Sequence, residues 1–162
     1  MIRKIAILVS IATMFSSILS FKIEQPFEAL SIDERAALCG LEPAEFQLFS
    51  GIVEAESNRS TDGDLSGRIM IALTIWNRIN DDRWPSTAEG VLTQRGQFST
   101  VRNGHSVTNR TEWSDRAVYE AYIWLNEDDS DAPDVQFFNC RGYFSGVEPC
   151  AYVGGNYFSY GY

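Results

Sequence analysis

The order of hydrophobic and polar positions divides the chain into segments of two periodicities. "SIDERAALCG" (31–40) opens with Ser31 and Glu34 at capping-box spacing and closes on Gly40, which predicts a short helix. "PAEFQLFSGIVEAES" (43–57) places Pro43 at a first helical position and Phe46, Leu48, Phe49, Ile52 and Val53 at mainly helical intervals. "NRSTDGD" (58–64) is loop by composition. "LSGRIMIALTIWNRIND" (65–81) is apolar nearly all round and predicts a buried central helix. After Pro85, Ser86 and Glu89 suggest a second capping box for a helix over 84–92, and 96–113 reads as a long loop. "SDRAVYEAYIWLN" (114–126) is amphipathic, with Ala117, Val118, Ala121, Tyr122 and Leu125 on one face. The acidic run 127–134 should lie beyond its end, because acids are disfavoured at a helix C-terminus. "VQFFNC" (135–140) and "GGNYFSYGY" (154–162) read as aromatic-rich strands. Helices first and a small sheet last predict an α+β domain with no internal repeat.

The N-terminus adds an export segment. Arg3 and Lys4 precede an uncharged apolar run over 5–21, so residues 1–20 are expected to be a signal peptide or an N-terminal membrane anchor. The rest of the chain is then secreted or held in the cell envelope. At 162 residues with 44% hydrophobic and 13% aromatic content, the chain can bury a real core. A net charge of -9, with no basic stretch longer than two residues, argues against nucleic acid as a partner. Export permits disulfides, and Cys140 and Cys150 flank the turn-rich "RGYFSGVEP"; a bond between them is expected, with Cys39 a buried thiol.

Several chemistries drop out. His105 is the single imidazole and sits in a polar loop, so no nucleophile triad can be assembled. No metal-ligand spacing and no phosphate-binding glycine loop is present; neither a metal nor a cofactor is expected. Asp62 and Asp64 flank Gly63 as an ordinary turn would. What stands out is a pair of carboxylates, Glu54 and Glu56, at the end of an apolar helix face, with a long loop and a C-terminal aromatic stretch further on. A glutamate in a partly apolar setting keeps its proton toward neutral pH and can deliver it to a glycosidic oxygen, while aromatic faces and amides hold sugar rings.

Four segments also resemble, in order and nearly in spacing, the cell-wall hydrolase family of SleB- and CwlJ-type spore cortex-lytic enzymes: "GIVEAES", "SGRIMIALTIWNRI", "RWPSTAEGVLTQRGQFSTV" and "FFN…GGNYFSY". The resemblance spans residues 46–162, with 21–45 as a helical lead-in. It implies a lysozyme-like α+β domain that cuts the glycan strand of peptidoglycan with one essential glutamate, as a lytic transglycosylase. The family's E-A-x-G-E start corresponds to Glu56 through Ser60, which makes Glu56 the catalytic residue and Glu54 a variable neighbour. Ser60 stands where the family has a second glutamate, and the loop up to Gly67 is about three residues longer than the family's.

On this reading Gln97, Ser99 and Asn156 are expected to hydrogen-bond sugar or peptide groups, and Phe98, Phe138 and Tyr157 to form walls or stacking surfaces. Asn77 and Arg78 should tie the central helix to its loops. The expected partner is the peptidoglycan glycan strand, met by a monomer. Two other functions fit less: an amidase, whose zinc ligands or cysteine nucleophile are missing from the pattern, and a wall-binding module without catalysis.

Overall fold

A computed structural model of the chain describes residues 26–57, 65–98 and 109–161. The export segment, the 58–64 loop, His105 and Ser99 lie outside those residues. The chain divides into Met1–Leu30 and Ser31–Tyr162. In the first unit the described part is a single 3-10 turn, Phe27–Ala29. Among the described residues of the second, five helices and three strands follow. They are α1 (Ile32–Leu38), α2 (Pro43–Glu56), α3 (Leu65–Ile79), α4 (Ala88–Thr93), α5 (Glu112–Asn126), β1 (Val135–Asn139), β2 (Pro149–Val153) and β3 (Asn156–Tyr160). The compact unit therefore takes in residues 31–45, set apart as a lead-in on sequence grounds; α1 packs on α2 and α5. No described helix is long and apolar enough to cross a membrane.

Local chemistry fixes the helix ends. Ser31 and Glu34 form the expected reciprocal cap of α1, and Gly40 takes φ +66° just past its end. Helix α4 starts later than expected, because the hydroxyl of Thr87, not Ser86, accepts from the Gly90 amide. Helix α5 starts two residues early, because Thr111 caps it and Ser114 answers by accepting from the Thr111 amide. It ends at Asn126, ahead of the acidic run.

Helix α3 is the spine, buried over most of its length. Phe49 of α2 and Tyr122 of α5 pack on its Trp76 at ring-centroid distances of 5.1 and 5.2 Å. The Trp76 indole donates to the Val118 carbonyl. A buried polar knot joins α1, α2 and α5: Asp115, 1% exposed, accepts from Ser50 at 2.5 Å and from the guanidinium groups of Arg35 and Arg110.

The sheet is antiparallel in the order β1-β3-β2. Strand β2 was not anticipated. It begins with Pro149 on a sheet edge, where a missing N–H costs little, and proline there reads as loop in a sequence. Its presence also overturns the Cys140–Cys150 disulfide. Cys140 follows β1, Cys150 lies on β2, and β3 runs between them. Two interstrand spacings, about 10 Å, exceed the ~7 Å that a disulfide spans between Cα atoms. Both thiols are free, as is the buried Cys39, whose pKa burial pushes up to about 12.

Replacing Asp115 with alanine should destabilise the domain by about 3–5 kcal/mol, because the buried Arg35 guanidinium keeps only the exposed Glu112 carboxylate and Ser50 loses its acceptor. Denaturant unfolding measures this, and a change below 1 kcal/mol would contradict the role given to the knot.

Candidate active site

Both glutamates end α2, one residue apart, and their surroundings differ. Glu54 lies one turn beyond the buried Ser50, so its side chain reaches the start of α3 and the start of α5. Arg68, 4% exposed in the first turns of α3, grips it with two parallel bonds: Nε to Oε2 at 3.0 Å and Nη2 to Oε1 at 2.9 Å. The Thr111 hydroxyl, while capping α5, donates to the same Oε2 at 2.7 Å. One half-buried carboxylate thereby joins three helices through charge-assisted bonds.

Glu56 is the last residue of α2 and is half-buried; Ala55 between the two is exposed. The unpaired carbonyls at a helix C-terminus carry partial negative charge. Glu54, by contrast, sits against the Arg68 guanidinium.

Beside this end of α3 lies the β2–β3 turn. A Cβ on Gly67 would stand 2.8 Å from the Gly154 Cα, so helix and turn meet backbone to backbone, one residue from Arg68. Asn156, 3% exposed, follows that turn, and its Nδ2 has no hydrogen-bond partner among the described residues. Tyr157 is half-buried beside it.

The remaining expected site residues gather elsewhere. Near the opposite end of α3, Asn77 donates to the Pro133 and Val135 carbonyls and Arg78 to the Gln136 carbonyl, the anchoring role expected for this pair. Arg78 also donates to Gln97 Oε1 at 3.2 Å and lies 4.4 Å from the Trp84 ring; burial lowers its pKa to about 10. Phe98, 2% exposed, packs in the core instead of lining a wall. Phe138 is half-buried against the core residue Phe158 at 5.9 Å. Eleven residues of helix separate Arg78 from Gly67, about 16 Å, so Gln97 and Phe98 cluster with Arg78 at the end of α3 away from Arg68. Ser99 falls outside the described residues.

Sequence reasoning missed Arg68 and Thr111. Arg68 was hidden inside an apolar run, and Thr111 inside a stretch read as loop, although T-x-x-S before an amphipathic segment carries a cap signal.

A family model described as Cell Wall Hydrolase matches residues 63–145, a span that begins after both glutamates. Two solved structures share the fold. The catalytic domain of the germination-specific lytic transglycosylase SleB from Bacillus anthracis matches with a TM-score of 0.60 at 21% identity, over 74% of this chain and 97% of that one. The catalytic domain of the Bacillus cereus SleB protein matches with a TM-score of 0.58 at 20% identity, over 72% and 89%. No curated protein matches the chain. The likeness to these structures is one of fold, and it makes the mainly helical domain with its small sheet lysozyme-like.

Glu54→Gln should lower stability by about 2–4 kcal/mol, because the buried Arg68 loses a charged partner. The double variant Glu54→Gln/Arg68→Met should recover part of that loss in denaturant melts. Additive losses in the double variant would show that the two side chains are not coupled.

Proposed function

Because the chain belongs to the cell wall hydrolase family and is a peptidoglycan-active enzyme, we propose that it cleaves the glycan strand between N-acetylmuramic acid and N-acetylglucosamine by the lytic transglycosylase route. The observation that carries this reading is the contrast at the end of α2, where Glu54 is committed to Arg68 and Thr111 while Glu56 occupies the helix terminus.

Glu56 is the general acid. It protonates the glycosidic oxygen as the muramoyl C1–O bond breaks, and N-acetylglucosamine leaves as the alcohol. The resulting Glu56 carboxylate takes the proton of the muramoyl 6-hydroxyl as that oxygen bonds to C1, closing a 1,6-anhydro ring and restoring the acid. Proton and bonding electrons balance without added water. Glu54 positions the end of α2 and takes no part in the transfer. Asn156 and Tyr157, beside the Gly67–Gly154 contact, serve as sugar contacts. A substrate outside the cytoplasmic membrane accords with export.

Glu56→Gln should abolish cleavage of purified sacculi while the melting temperature stays within a few degrees of the parent, because the amide keeps the shape and cannot donate an acid proton. Glu54→Gln, assayed where it remains folded, should keep most activity. If Glu54→Gln is the inactive variant and Glu56→Gln the active one, the acid is Glu54.

Glu56→Asp should lose at least about a hundredfold, since withdrawing the carboxyl by a methylene misplaces it by about 1 Å. The parent's rate should be highest in mildly acidic to neutral solution and fall at alkaline pH, because the active form is the protonated one and raising pH removes it. A rate flat into strong alkali, with the fold intact, rules out Glu56 as a rate-determining donor.

A further inference from the structure

We propose that the outward face of the sheet is a glycan-binding platform, made by Tyr143, Tyr152 and Tyr157, that holds N-acetylated sugar rings of a strand running into the glutamate site. The class of ligand rests on the peptidoglycan reading above; the platform itself rests on the following geometry.

Tyr152 of β2 and Tyr157 of β3 are paired directly across the antiparallel ladder, so both point to the same face. Phe158, the next residue along β3, is fully buried and faces the core, which puts the two tyrosines on the outside. Their rings lie 4.5 Å apart. Tyr143, from the segment between β1 and β2, brings a third ring edge-on to Tyr157 at 5.0 Å. Cross-strand stacking alone would account for the Tyr152–Tyr157 pair, at about 0.2–1 kcal/mol. It does not account for a third ring recruited from outside the ladder, nor for the exposure of Tyr152 and Tyr143 at 59% and 42%.

The chemistry of the patch selects its occupant. Each tyrosine offers an apolar ring face for the C–H surface of a pyranose and a hydroxyl at its rim for sugar hydroxyl or acetamido groups. Continuity selects it too. The strand pair carrying Tyr152 and Tyr157 is closed by the Gly154 turn, and that turn touches Gly67, one residue from the Arg68 that holds Glu54. The rings thus stand on the strand pair whose turn abuts the start of α3, one residue from the arginine that holds Glu54.

The test uses the full chain carrying Glu56→Gln, so that bound glycan is not consumed. Chitotetraose, the soluble N-acetylglucosamine tetramer, is titrated calorimetrically, and purified sacculi are co-sedimented. Adding Tyr143→Ala and Tyr152→Ala should weaken both by about tenfold or more, the equivalent of one or two lost ring contacts. Tyr152→Trp, which keeps an aromatic face, should bind like the parent. Circular dichroism and melting confirm that each variant is folded. Unchanged binding in the double alanine variant overturns the platform, as does a parent that binds neither probe. The enzymatic reading fails separately. Sacculi left uncut by the chain with Glu56 in place, while tetramer binding still depends on the tyrosines, would leave the platform standing without the reaction.

Discussion

The site depends on the ion pair between Arg68 and Glu54. Taking a guanidinium and a carboxylate out of water is costly, and the cost is offset only when geometry is good and further hydrogen bonds are made. Here the fork is bidentate and the Thr111 hydroxyl completes it. The pair closes where three helices meet: the end of α2 and the starts of α3 and α5. It fixes the height at which α2 stops, and so the place where Glu56 presents its carboxyl group. In the proposed reaction, a residue outside the proton transfer sets the position of the one that carries it.

Helix α3 transmits that placement to the sheet. Asn77 and Arg78 hold the backbone of β1 and the segment before it near one end of the helix, and Gly67 admits the β2–β3 turn at the other. The sheet is pinned along the helix at two separate points, which leaves little freedom to slide. The core face of the sheet, through Phe158, closes the interior, and the opposite face carries the tyrosines. These contacts are themselves backbone-to-backbone or side chain-to-backbone.

Much of this was legible along the chain. Ser31 with Glu34, Pro43 and the apolar run from Leu65 announced their helices, because caps and periodicity are local properties. The family was legible too, from the segments around "ALTIWNRI" and "GQFSTV". What was hidden depends on tertiary pairing. Strand β2 begins with proline and carries Cys150, so the stretch suggested a disulfide-closed loop; only the strand order shows that β3 separates the two cysteines. Gln97 and Phe98 were grouped with the glutamates as sugar contacts, but burial and Arg78 draw them to the other end of α3. Arg68 looked like an interruption in an apolar helix until its partner, fourteen residues earlier, was in place.

In the proposed reaction a single glutamate shuttles one proton through a glycan cleavage that needs no water. Mass spectrometry of muropeptides released from purified sacculi tests it most directly. New 1,6-anhydromuramoyl ends with stem peptides still attached are the expected products. Reducing muramoyl ends in their place would mean that water, not the 6-hydroxyl, attacks C1, and free stem peptides with intact glycan would mean that a different bond is cut.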